Sequence, residues 1–177
     1  MKITKLENNN QLKLELNSGS KIYFLNGDFH RGEGLPAVIT DYSEEYFYRG
    51  VKITREIAMG KLSAQEILEI PNMEIRQRAM EILGYEQFLN IFKKIDEFTP
   101  SQFADKFNPD EMYALYEFHE KNAKEPIKIL QMYDPSKIPF IKYFIRVNPS
   151  ETNCKDAVTH SYRLQTWEDY TFCKNWV

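Results

Sequence analysis

Nothing in this chain approaches the ~18 consecutive apolar residues of a membrane-spanning helix. The opening MKITKLENNN has no apolar core, so no signal peptide is expected. Cysteine is scarce. Cys154 and Cys173 are the two present, far from any CxxC spacing, and they read as free thiols in a reducing cytoplasm. Charge of one sign is missing as well. The 23 basic and 26 acidic residues leave a net charge of −3 with no basic block. That disfavours a general nucleic-acid surface and leaves only a local patch open. There is no HExxH, no paired-histidine spacing and no Walker loop, so neither a metal nor another cofactor is expected. Gly32-x-Gly34 sits between strands with no helix after it, so a phosphate cradle at a helix N-terminus has nothing to act through.

What is abundant is aromatic residues, at 14 %, within a hydrophobic content of 42 %. With 177 residues, this predicts a packed core in one domain or two small ones. Polar–apolar alternation predicts strands over 2–6, 11–17, 21–25, 36–42, 45–48 and 51–54. Asn8-Asn9-Asn10, Ser18-Gly19-Ser20, Asn26-Gly27 and Arg49-Gly50 are the turns, since Asn and Gly tolerate positive φ. The first ~55 residues therefore read as an antiparallel meander. Within it, Tyr23–Gly27 and Tyr46–Gly50 repeat weakly, as two stacked hairpin units would.

From Ser63 the period becomes helical. Ser63 and Glu66 form a capping box, and Met73–Leu83 is an amphipathic helix closed by Gly84. On that helix Glu74, Arg76, Gln77 and Arg78 fall on the polar side. A second helix is expected over 85–94 and a short one over 101–107, behind Thr99-Pro100. Then come strands at 112–118, 126–133 and 140–147, with Asp134-Pro135-Ser136-Lys137 as a turn and Asn148-Pro149 as a stop. A last helix covers 154–164. The tail holds Trp167, Tyr170, Phe172 and Trp176 and is expected to dock on the body. The fold class is α+β: an N-terminal antiparallel β-meander over 1–56, a helical middle, and a second small antiparallel sheet with a C-terminal helix. The two parts, 1–56 and 63–177, meet at a seam near 57–63.

Two resemblances follow from motifs. NGDFHRGEGLPAVI with EEYFYRGVKITRE resembles bacterial and viral hairpin repeats that read aromatic-x-Asn-Gly-x-x-His-Arg-x-x-Gly-Pro-Ala, distantly similar to membrane occupation and recognition nexus repeats. Asn26, Gly27, His30, Arg31, Gly34, Pro36 and Ala37 carry the likeness, with Leu35 inserted. The second copy keeps the aromatics and Gly50 without the His-Arg pair. The likeness implies a hairpin scaffold and no catalytic role. Residues 63–170 resemble a bacterial domain of unknown function that follows leucine-rich repeats or stands alone. Asn72, Glu74, Arg76, Arg78, Gly84, Glu86, Phe88 and Leu89 match its first segment. Glu125, Pro126, Tyr143, Phe144, Arg146, Val147, Pro149, Ala157, Val158 and Leu164 match its second. His160 replaces a tryptophan there, and the loop at 134–139 differs. This likeness implies a shared fold and no activity.

The candidate binding residues are Tyr42, Tyr46, Tyr48, His30, Arg31 and Arg76. Tyrosines beside Asp41, Glu44 and Glu45 suit protein recognition, because Tyr supplies rigid amphipathic area; the competing reading is an aromatic core. Base stacking would want interleaved cations, which are missing around that cluster. His30 and Arg31 with Glu33 form either a small polar site or a hairpin turn with a surface ion pair. Arg76 with Glu74 and Arg78 forms either an acidic-partner site or a solvated face. Cys154 and His160, six apart, lie ~240° apart around a helix, which separates them as a catalytic pair. His119 has Glu117 and Glu120 near it without a second ligand cluster.

The expected function is a non-catalytic, cytoplasmic module whose partner is another protein, with no membrane role and nucleic acid disfavoured by charge. A phage or mobile-element inhibitor of a host nucleic-acid-processing or defence enzyme, or an immunity protein, are forms such a module takes; no motif selects one. The alternatives are a hydrolase or nuclease built on His30, Arg31 and Glu33 or on His160, and a nucleic-acid binder.

Overall fold

A computed structural model of the chain describes residues 1–5, 10–98, 113–121, 123–134 and 141–166. The helix expected over 101–107, the turn at 135–137, the aromatic tail and Cys173 lie outside these residues. The architecture is α+β, as the patterning predicts: an N-terminal antiparallel sheet, a helical middle, and a four-stranded antiparallel sheet followed by a helix. The chain divides into two compact units, Met1–Gly84 and Tyr85–Val177.

In the first unit the strands are β1 (Lys2–Lys5), β2 (Gln11–Glu15), β3 (Lys21–Leu25), β4 (Asp28–Phe29), β5 (Val38–Ile39), β6 (Glu44–Tyr48) and β7 (Val51–Ile53). They pair antiparallel in the order β1-β2-β3-β5-β6-β7, with β4 also on β3. The strand expected over 36–42 shortens to β5. Thr40 Oγ1 accepts the N–H groups of Tyr42 and Ser43, so a hydroxyl turn replaces the ladder there. Asn26-Gly27 and Arg49-Gly50 all have positive φ, so the two halves of the weak repeat share one turn geometry.

Helices α1 (Arg55–Ala58), α2 (Ala64–Leu68) and α3 (Met73–Leu83) follow, and α1 and α3 pack on β6 and β7. The division at Gly84 therefore replaces the expected seam near 57–63. The strands cannot close a core alone. Tyr46 and Ile53 are buried together with Ile57, Ile67, Leu68, Ala79 and Met80 of the helices. Ser63 caps α2 with the reciprocal Glu66 bond, as expected, and Asn72 caps α3.

Arg76 corrects the reading of α3. It is buried rather than on a solvated face, and its guanidinium donates to the carbonyls of Leu68 (3.2 Å) and Ile70 (3.3 Å). Those are C-terminal carbonyls of α2 and the link to α3, which lack helical donors of their own. Arg78 pairs with Glu81 at 3.0 Å rather than with Glu74.

In the second unit β8 (Lys93–Phe98), β9 (Tyr113–Phe118), β10 (Ile127–Asp134) and β11 (Ile141–Val147) pair antiparallel in the order β11-β10-β9-β8. The helix expected over 85–94 is a single 3-10 turn, Tyr85–Phe88, and the chain then enters β8. A bulge between Lys94 and Asp96 inserts one residue. Ile95 and Phe98 both pack on the core although they are three apart, which imitates a helical spacing. Helix α4 (Cys154–Ser161) lays Cys154, Ala157 and Val158 on Tyr113, Leu115, Leu130 and Met132. Ser161 and Tyr162 are exposed.

Arg76→Met should lower the stability of the chain by about 2–4 kcal/mol, because two buried carbonyls lose a charged donor. Arg78→Met on the same helix should cost less than about 1 kcal/mol. Urea unfolding followed by far-ultraviolet circular dichroism checks both values, and equal losses would refute the clasp.

Candidate functional site

Strand register divides the first sheet into two faces of different chemistry. Ile3, Leu14, Ile22 and Val38 stand in one cross-strand row. Leu12, Phe24 and Phe29 stand in the next. Phe29 stacks with Phe24 at 5.2 Å and meets Phe47 at 5.1 Å. None of these side chains reaches full burial, and Ile3 is 64 %, Phe29 39 % and Leu12 38 % exposed. Helices α1 and α3 cover the other face, where Tyr46 and Ile53 point.

His30 and Arg31 belong to this second face, opposite the apolar rows. The backbone N–H of His30 bonds Tyr23, and that of Arg31 bonds Phe47, so the two residues bridge β3 and β6. The His30 ring is buried, accepts the Arg49 N–H on Nδ1 at 3.1 Å, and meets the Tyr48 ring edge-on at 4.9 Å. Burial, then the Arg49 charge, hold its pKa below the ordinary histidine value. The Arg31 guanidinium lies 3.9 Å over the Tyr23 ring and donates to the Pro36 carbonyl at 3.4 Å. Glu33, at φ 61°, makes no hydrogen bond or ion pair with His30 or Arg31, so neither the expected turn ion pair nor an acid–base set forms.

The expected tyrosines separate. Tyr42 is 97 % exposed at the β5–β6 turn. Tyr46 is buried, with its hydroxyl donating to Glu44 at 3.1 Å, so it belongs to the core rather than to a binding surface. Tyr48 is half-buried between His30 and the Arg49 guanidinium. Arg76 is spent on the α2–α3 link. The exposed apolar row was not singled out from the sequence. Its signal was present: β3 is apolar on both faces, which a sheet with one solvated side does not need.

The second unit holds a polar chain of its own. His119 meets Glu117 at 2.7 Å, Glu117 pairs with buried Lys128 at 3.1 Å, and Lys128 donates to the Glu151 carbonyl. The buried Glu151 carboxylate meets His160 Nδ1 at 2.8 Å. That pair lines a cleft of about 340 Å3 with Arg146 and Asn148. The hydrogen bond to Glu151 raises the His160 pKa. Burial acts to raise Glu117, but bonds from Lys128 and His119 outweigh it and leave its carboxyl below the usual range. Cys154 lies under α4, and burial with the neighbouring Asp96 carboxylate pushes its thiol far up, so it is not a ready thiolate. Among the described residues no cluster of three or more His, Cys, Asp or Glu forms a metal site, and no helix is long and apolar enough to cross a membrane.

No protein-family model, curated protein or solved structure matches this chain.

The two histidines should titrate on opposite sides of the ordinary value of about 6.5. His30 is depressed, so its stabilisation is complete above the unfolded value and lost as pH falls through the folded one. His160 is raised, so its contribution is complete below the unfolded value and lost as pH rises through the folded one. Imidazole chemical shifts followed against pH check this; the reverse order would contradict both environments.

Proposed function

We propose that this protein is a non-catalytic module that binds another protein through the apolar face of its first sheet. The observation that carries the reading is the double row Ile3–Leu14–Ile22–Val38 and Leu12–Phe24–Phe29, left partly in water while α1 and α3 cover the opposite face. Contiguous exposed apolar area of this kind marks interaction surfaces, because leaving it in water wastes about 25 cal/mol per Å2. Two aromatic anchors, Phe29 at the end of the second row and Phe47 in contact with it, suit the core of an interface. The hairpin-repeat likeness fits a scaffold of this type. A stoichiometric inhibitor or an immunity protein is one form of such a module.

A second reading rests on His160. A buried carboxylate on Nδ1 with an open Nε2 is how a general-base histidine is oriented, and Arg146 shares its cleft. A hydrolase would use that arrangement.

Affinity capture from the native host, with mass spectrometry at moderate salt, separates the two. Phe29→Glu and Ile3→Glu each place a charge on the exposed face and should abolish recovery of a stoichiometric partner. His160→Ala should leave recovery unchanged. Capture that survives both face substitutions would overturn the docking surface.

A further inference from the structure

The face that carries His30 ends, over β1–β3, in a row of cations. Lys2 and Lys21 flank Glu15 in register, and Lys13 stands beside Tyr23. Lys13 pairs with Glu15 at 3.1 Å, and Lys2 and Lys21 also act on that carboxylate. With Arg31, four cations share this face with carboxylates that include Glu15, Glu33 and Glu44, in a chain whose net charge is −3. At the inner end of this row a cleft of about 470 Å3 is lined by Gln11, Lys13, Tyr23, His30, Arg31 and Glu33.

Lys13 is shared with Glu15, and other donors of the cleft are unspent. With Nδ1 of His30 accepting from Arg49 and the ring held neutral, the ring proton sits on Nε2. That N–H meets no acceptor among the described residues and opens to the cleft. Among the described residues the Gln11 amide meets no partner either, nor do the backbone N–H groups of Gly32 and Glu33. Arg31 spends one donor on Pro36 and is held flat by the Tyr23 ring, so its fork is pre-oriented. A carboxylate offers two oxygens, fewer than this set can satisfy. A phosphate offers three or four, with the charge that Arg and Lys select.

We propose that this cleft is a binding site for a phosphate group, held by Arg31 and Lys13 and capped by the His30 Nε2–H. Free phosphate and a phosphate ester share that chemistry. The site lies on the face opposite the apolar rows, so it stands or falls separately from the protein-binding reading.

The test is a titration of the full chain with inorganic phosphate, read by two-dimensional amide spectra and by the His30 ring N–H. Chloride at matched ionic strength is the control. The Gly32 and Glu33 amides and the His30 ring proton should move together and saturate. Lys13→Met and Arg31→Met should each weaken binding by about 10-fold or more, the loss of one charge-assisted contact. If Arg31→Met unfolds the hairpins, Lys13→Met alone decides, because Lys13 sits at a partly exposed strand position. Adenosine monophosphate forms the second arm. Tighter binding than phosphate identifies an ester as the ligand, and equal binding identifies free phosphate; both support the site. No saturable shift, the same shift with chloride, or unchanged affinity in Lys13→Met would overturn it.

Discussion

The first unit depends on one hydrogen bond, from the Arg49 N–H to Nδ1 of His30. Arg49 and Gly50 hold positive φ in the second hairpin turn, which directs their N–H groups back toward the first hairpin. Gly50 bonds the Phe29 carbonyl, and Arg49 needs an acceptor beside it. A backbone carbonyl would require another strand; an imidazole supplies the acceptor from a side chain. The two hairpins are thereby clasped without a continuous ladder between β4 and β6. The clasp also fixes which ring nitrogen keeps its proton, a consequence of folding that acquires chemical use only where a ligand meets it.

Strand alternation then distributes the remaining side chains. Because register has a period of two, placing His30 and Tyr48 toward the helices sends Phe29 and Phe47 to the other side. One face thus receives Tyr46 and Ile53 for the helices and the cations of β1–β3. The other receives the aliphatic and phenyl groups, together with Lys5, Glu45 and Lys52. A single sheet with helices on one side has no internal partner for such a face, and its apolar rows are more than a solvated sheet requires. Recognition by contact area and recognition by charge are therefore separated by the thickness of one sheet.

Much of this was legible from the sequence, and the failures have physical causes. Turn residues announced the meander because positive φ selects Asn and Gly, and Ser63 with Glu66 announced α2 because capping is local chemistry. Strand β8 was hidden by its bulge, which moved Ile95 and Phe98 to a spacing of three. Arg76 looked solvated because helical periodicity cannot reveal that two carbonyls eight and six residues upstream lack donors. The tyrosines were grouped by neighbourhood in sequence, whereas Tyr42, Tyr46 and Tyr48 diverge at a turn, in the core and beside His30. His30 and Arg31 were found by motif, yet the acid they seemed to pair with, Glu33, forms no bond with either.

The second unit shows why a histidine beside a carboxylate is weak evidence by itself. Lys128 is buried on β10 and must have its charge met; Glu117 across the strand pair and the Glu151 carbonyl meet it. Holding that carbonyl in place draws the Glu151 side chain under the sheet edge, where a buried carboxylate in turn needs a donor. His160, in the last turn of α4, provides it, and the helix C-terminus favours a cation there. Each step follows from satisfying the one before, beginning with a single buried ammonium. The Glu151–His160 pair can therefore arise from folding alone.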